Sequence, residues 1–286
     1  MPTKLQWVAY AQLMRLDKPI GILLLWWPVM WALWLASDGA PSIAHVVIFS
    51  LGCVLTRSAG CVINDFADRH IDLHVARTQN RPLTSGRVSS REALGLFAVL
   101  CVLSFVCVCF TNAQTIVLSV VALGLAALYP FTKRWFMFPQ FFLGAAFSWG
   151  VVMVYSAAER ALGVEVACLY IAVLSLTVAY DTFYALMDQA DDEEIGVKST
   201  AIWFGERVGF ITTSLQALCV LMLVIVGWLR GFSVVYFVAL VCVLGLFVYQ
   251  QRLIGSREGE RCFKAFLNNQ WVGCVVFLGV LYEFSW

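Results

Sequence analysis

Two stretches of this chain gather acids at a spacing that suits cation chemistry. The first reads NDFADRHID and carries Asn64, Asp65, Asp68 and Asp72. Asn64, Asp68 and Asp72 follow at four-residue steps, so on a helix they share one face, with Asp65 beside the stripe. The second reads YDTFYALMDQADDEE, where Asp181, Tyr184, Asp188 and Asp192 share a face and Asp191 lies alongside. Like charges at this spacing repel by roughly a few tenths of a kcal/mol on an exposed helix. A divalent cation relieves that repulsion. Oxygen ligands without His or Cys point to magnesium, which is typically held by one or two carboxylates plus substrate phosphates. One acidic cluster alone reads equally well as a solvated helix end, and Glu193 and Glu194 read that way. Two face-matched clusters on one side of a membrane do not.

Cations suited to an anion lie between and after the clusters. The stretch RTQNRPLTSGR offers Arg77, Arg81 and Arg87; YPFTKRW offers Lys133 and Arg134; GVKSTA offers Lys198. Magnesium with Lys or Arg around a leaving group stabilises a departing diphosphate. Arg77, Lys133, Arg134 and Lys198 are the substrate-binding candidates, whereas Arg252, Arg257 and Arg261 read as topology signals. The histidines number 3. His45 falls on the far side, and His70 and His74 lie off the acidic stripe as polar surface, so a histidine-based hydrolase is not supported. There is no GxxxxGK[ST] loop and no strand-borne GxGxxG, which removes a nucleotide-binding reading. The 10 cysteines sit mostly in apolar blocks, and the CxC at Cys107 and Cys109 reads as packing.

What must position these groups is membrane helix. The chain of 286 residues is 61% hydrophobic and 13% charged, against about 25% charged in soluble domains. Nine apolar blocks are long enough to cross a bilayer: 20–36, 44–63, 93–110, 115–131, 140–157, 166–187, 208–229, 233–249 and 270–284. Their length and continuity predict helices, not barrel strands. With nine spans, 17 of the 19 Lys and Arg fall on one side (Arg57 counted among them), leaving Arg160 and Arg230 opposite. The positive-inside rule then predicts a cytoplasmic N-terminus and an external C-terminus, with both acidic clusters at the cytoplasmic face. The expected architecture is an all-α polytopic bundle forming a single domain over residues 1–286. The short N-terminus, poor in Arg and Ser, argues against a mitochondrial presequence and for the inner membrane of a Gram-negative bacterium.

NDFADRHID resembles the first aspartate motif, NDxxDxxxD, of the UbiA superfamily of membrane prenyltransferases, and DQADD resembles the second, DxxxD, at Asp188 and Asp192. MRLDKPIGILLLWWPVMWALW, RTQNRPL and DDEEIGVKSTAIWFG are similar to the 4-hydroxybenzoate branch. The resemblance implies a nine-helix bundle around a central cavity capped by cytoplasmic loops. It implies one magnesium on Asn64, Asp65, Asp68 and Asp72 and another on Asp188 and Asp192, with Lys133 and Arg134 near the diphosphate or the aromatic carboxylate. The implied reaction prenylates 4-hydroxybenzoate ortho to its hydroxyl from a polyprenyl diphosphate, for ubiquinone synthesis, with Asp181 or Asp191 as proton acceptor. The implied partners are these two substrates and the lipid bilayer, with no nucleic acid. Alternatives are a naphthoate, homogentisate or haem acceptor, or a cation-coupled transporter, whose acids belong near mid-membrane.

Overall fold

The computed structural model describes residues 4–69, 72–73, 78–132 and 134–285, and among these every regular element is helical. A short helix α1 (Lys4–Leu13) precedes α2 (Ile20–Ala36), α3 (Ile43–Asp68), α4 (Ser90–Val108), α5 (Ala113–Thr132) and α6 (Pro139–Ala157). Then come α7 (Val164–Ile195), a small α8 (Thr200–Phe204), α9 (Val208–Arg230), α10 (Val234–Ile254) and α11 (Gly259–Glu283). Among the described residues, eight helices are long and apolar enough to cross a membrane, and α2 is a shorter apolar helix of 17 residues. At about 1.5 Å per residue α2 reaches roughly 25 Å, close to the hydrocarbon thickness. The nine expected blocks therefore correspond to nine helices of a multi-pass membrane protein, and α1 and α8 are additions the apolar pattern does not announce.

Between helices lipid supplies no hydrophobic drive, so close approach and polar contacts do the joining. At Gly273 a methyl group would lie 2.5 Å from the Trp27 ring, and Trp31 donates its indole N–H to the Gly273 carbonyl at 2.9 Å, fastening α2 against α11. Side-chain amides link α9, α10 and α11. Gln216 of α9 donates to Gln250 of α10 at 2.7 Å, and Gln250 donates to Asn268 of α11 at 2.9 Å.

At one end of the bundle a charge network closes the helix termini. Arg230 donates to Glu165 at 2.6 Å, to Asp38 at 2.6 Å and to the Leu35 carbonyl at 2.7 Å. Arg160 also bonds Asp38 and donates to the Ala36 carbonyl at 2.9 Å. The arginine hydrogen bonds, Arg230 foremost, hold the Asp38 carboxyl below the usual carboxylate range. The acidic clusters lie at the other end. There Ser89 and Glu92 form a capping box at the start of α4, and the Tyr10 hydroxyl of α1 donates to Glu92 at 2.8 Å. That hydrogen bond raises the Tyr10 phenol above its ordinary value.

Candidate active site

The expected continuation of the apolar helices into both acidic stretches is present, with one difference. α7 runs on to Ile195 and keeps Asp181, Asp188, Asp191 and Asp192 on one continuous helix, which ends at Gly196 in a left-handed conformation (φ 77°). α3 ends at Asp68, so Asp72 is not on the helix. Its amide still donates to the Asp68 carbonyl at 2.8 Å, and Asp72 is buried. The strict three-residue stripe of the first cluster is thus a helix-borne pair followed by a turn residue. His70 and His74, expected on the same helix, lie outside the described residues, as do Arg77 and Lys133.

A single cavity of about 1360 Å³ receives both clusters. Its walls include Asn64, Asp65, Asp68 and Asp72 from the first and Asp181, Tyr184, Asp188 and Asp192 from the second, together with Lys198. From this mouth it runs through the bundle to Thr111 and Thr115 near the opposite end of α4 and α5. Asp191 and Arg134 are not among its lining residues. Arg134 instead donates to the Ala67 carbonyl at 2.8 Å and lies over the Phe131 ring, which fastens the α5–α6 turn onto the end of α3.

Two arginines organise the mouth: Arg81, one of the cations offered by RTQNRPLTSGR, and Arg15 from the N-terminal segment. Arg15 donates both hydrogen bonds of one amino group to the two carboxylate oxygens of Asp65, each at 3.0 Å. Arg81 reaches Asp65 at 3.1 Å and Asp72 at 2.6 Å, joining the end of α3 to the loop that follows it. Thr78 donates to the Asp72 carbonyl at 2.9 Å, and Arg87 donates to Gln12 at 2.7 Å, so this loop is also held to α1. On the other side, the Thr200 amide donates to Gln140 at 3.0 Å and the Thr200 hydroxyl pairs with Thr182 at 2.6 Å. These two bonds fix α8, and with it Lys198, whose ammonium donates to the Trp135 carbonyl at 3.2 Å.

Deeper in the cavity stands Arg57. It was counted with the cytoplasmic charges, but it lies eleven residues before the end of α3, roughly 16 Å along the helix from Asp68. That placement removes it from the topology tally and makes it a cavity residue. Its guanidinium sits over the Phe147 ring at 5.8 Å, and its Nε is buried with no hydrogen-bond partner. Asp181 is close enough to interact with it electrostatically. The rule that an ionisable residue inside an apolar block marks function was sufficient to flag it.

Among the described residues, no three His, Cys, Asp or Glu side chains converge tightly enough to cage a metal ion by themselves. The donor set nevertheless fits magnesium, because that ion is ordinarily held by few carboxylates and completes its shell with water and phosphate oxygens. Asp65 and Asp72 meanwhile have arginine partners, so the mouth balances its acids with built-in cations.

Residues 25–278 match the UbiA prenyltransferase family. The chain belongs to that family. UbiA relatives of high similarity include the 4-hydroxybenzoate octaprenyltransferase of Hahella chejuensis, 54% identical over 96% of this chain and 92% of the relative. The protein of the same description from Saccharophagus degradans is 52% identical over 99% and 94%. Among solved structures, a UbiA homolog from Aeropyrum pernix K1 superposes with a TM-score of 0.80 at 24% identity, covering 91% of this chain and 97% of that one. A UbiA homolog from Archaeoglobus fulgidus bound to GPP and Mg2+ gives 0.70 at 20% identity, covering 96% and 99%. These structural likenesses establish that the helical arrangement is the UbiA fold.

Proposed function

We propose that this UbiA protein transfers a polyprenyl group from polyprenyl diphosphate to the ring carbon ortho to the hydroxyl of 4-hydroxybenzoate, releasing diphosphate, in ubiquinone biosynthesis. The observation that carries the reading is the single cavity: charged at its mouth, apolar along its length, and holding one arginine at depth. A donor with a charged head and an isoprenoid tail requires the first two features, and an aromatic acid requires the third. The relatives at 54% and 52% identity bear the corresponding description.

Asn64, Asp68 and Asp72 on one side and Asp188 and Asp192 on the other are the residues that would hold magnesium. Asp65 joins the first set if it yields one of its arginines. Bound magnesium supplies charge that stabilises the leaving diphosphate. Arg15, Arg81 and Lys198 add fixed positive charge at the mouth, where negative charge develops as the allylic C1–O bond breaks and the electron pair leaves with the diphosphate. Arg57 pairs with the acceptor carboxylate and so turns the electron-rich ring toward C1. The new carbon–carbon bond forms at the ring carbon, whose proton then departs to restore aromaticity. Asp181 lines the cavity and Asp191 does not, so Asp181 is the assigned proton acceptor. The mouth lies at the cytoplasmic face of a bacterial inner membrane with the N-terminus inside, where the soluble acid meets a donor dissolved in lipid. Arg160 and Arg230, the cations at the opposite bundle end, fit this orientation.

The test is product formation and diphosphate release from purified protein given 4-hydroxybenzoate and a polyprenyl diphosphate, with magnesium or with chelator. Asp68→Ala and Asp188→Ala are run beside the wild type. Magnesium-dependent product that is lost in both variants is the expected outcome. Well-folded wild type that prenylates no aromatic acceptor sinks the proposal.

A further inference from the structure

The apolar part of the cavity has a wall with a specific construction. Counting back along α3 from Asp68 in four-residue steps gives Asn64, Gly60, Thr56 and Gly52, and all five line the cavity. Such a row winds slowly around a helix and forms one continuous ridge. Here, past Asn64, the ridge is bare. A Cβ added at Gly60 or at Gly52 would meet nothing within 4 Å, so each glycine borders open space and not a packed neighbour. Between them, the Thr56 hydroxyl donates to the Gly52 carbonyl at 2.7 Å, which spends its polarity on its own helix.

The facing helices repeat the device. Ser104 of α4 donates to the Leu100 carbonyl at 2.8 Å, and Ser119 of α5 donates to the Ile116 carbonyl at 2.7 Å. Both serines line the cavity with their hydroxyls already satisfied. These hydroxyls therefore add little polarity to this part of the wall. Its far end is polar: Thr115 donates to the Ser156 hydroxyl at 2.9 Å, and Asn112 donates to the Ser156 carbonyl at 2.6 Å.

Taking the proposed prenyl transfer as the starting point, we infer that the Gly60–Thr56–Gly52 row of α3 is the track of the donor's isoprenoid tail, and that the depth of each glycine below Asp68 sets how many isoprene units pass it. Helical rise puts Gly60 about 12 Å and Gly52 about 24 Å from Asp68. An extended isoprene unit spans four carbon–carbon bonds of about 1.5 Å and advances about 5 Å. Gly60 is thus passed by about the third unit and Gly52 by about the fifth. A side chain at either position obstructs every longer tail while leaving shorter ones free.

The experiment measures turnover of Gly60→Leu and Gly52→Leu with donors of two, four and eight isoprene units, each normalised to wild type. Gly124→Leu is the control, since its glycine also borders open space but is not a cavity residue. Both α3 variants are expected to use the two-unit donor at close to the wild-type rate, which also shows that they fold. The four-unit donor separates them: it is retained by Gly52→Leu and reduced about ten- to a hundredfold in Gly60→Leu, the range expected for forcing methylenes into filled space. The eight-unit donor is reduced to that extent in both, and Gly124→Leu keeps the wild-type profile. Equal effects on all three donors, or no effect on the longest, overturn the track. Wild type that is inactive with every donor fails the prenyltransferase reading itself, a result distinct from an active wild type whose variants keep its chain-length profile.

Discussion

Arg57→Met separates acceptor recognition from every other role of the cavity. The guanidinium contributes a fixed charge at depth, and its Nε has no hydrogen-bond partner within the protein. A carboxylate that docks there gains a charge-assisted hydrogen bond, about 1.5–3 kcal/mol. Methionine keeps much of the side-chain volume and the packing against Phe147 but removes the charge. Taking the upper part of that range, about 2–3 kcal/mol, the KM for 4-hydroxybenzoate rises about 30- to 150-fold, at roughly 1.4 kcal/mol per factor of ten. The KM for the polyprenyl donor stays within about twofold, because the diphosphate is held some 16 Å away by helical rise. Stability moves the other way. An intramembrane cation costs roughly 2.5–3.5 kcal/mol on insertion scales, and the Phe147 contact returns only part of it. The detergent melting temperature of the variant is therefore expected to equal or exceed that of wild type.

The assay varies 4-hydroxybenzoate at saturating donor, then the donor at saturating acid, and repeats the first series with neutral 4-hydroxybenzamide. Wild type prefers the acid, and Arg57→Met loses that preference. An unchanged acid-to-amide ratio refutes the assignment, as does a KM increase confined to the donor.

Arg81→Met strips a shared cation from Asp65 and Asp72, both nearly buried. It is expected to lower the melting temperature in chelator and to enlarge the thermal stabilisation that magnesium gives, read by melting with and without the metal. Asp38→Asn tests the charge network at the opposite end. Because the folded Asp38 has a depressed pKa, its contribution is complete above the unfolded value near 3.9 and fades as pH falls through the lower folded value. The melting gap between wild type and Asp38→Asn is thus constant above about pH 5 and closes below about pH 4. Asp181→Asn is expected to lower kcat by up to about a hundredfold, the low end for acid–base catalysis, since rearomatisation needs only a weak base. Asp191→Asn leaves kcat within about twofold in the same assay, because Asp191 is outside the cavity lining.

The membrane helices were legible because lipid imposes the same demand on every residue of a span, and long apolar blocks answer it directly. Their polar ends were less so. α10 extends to Ile254 and α11 begins at Gly259, both beyond the apolar blocks, because helix continues wherever backbone bonding can be kept after the hydrocarbon ends. At α3 the helix is bounded at Asp68, and Asp72 keeps the four-residue step through its amide bond to the Asp68 carbonyl. Long-range pairings gather the segment that follows: Arg81 meets both Asp72 and Asp65, and Arg87 reaches across to Gln12. No local periodicity encodes such pairings. On α7, by contrast, spacing already put Asp181 on the shared face and Asp191 beside it, and the cavity lining follows that division.

Charge was read in the sequence mainly as orientation, and the structure divides the same residues by depth. Arg15 and Arg81 hold acids at the mouth, whereas Arg57 lies deeper and keeps a buried Nε without a hydrogen-bond partner. A membrane enzyme that joins an anion-headed lipid to an anionic ring must separate two negative groups while bringing their reacting carbons together. Cations at two levels of one cavity meet that requirement, and the uncharged ridge between Gly60 and Gly52 leaves the remaining wall to hydrocarbon. The open Nε of Arg57 then has a physical reason. An N–H already satisfied within the protein would offer an incoming carboxylate little, so the cost of leaving this one open is the condition for binding.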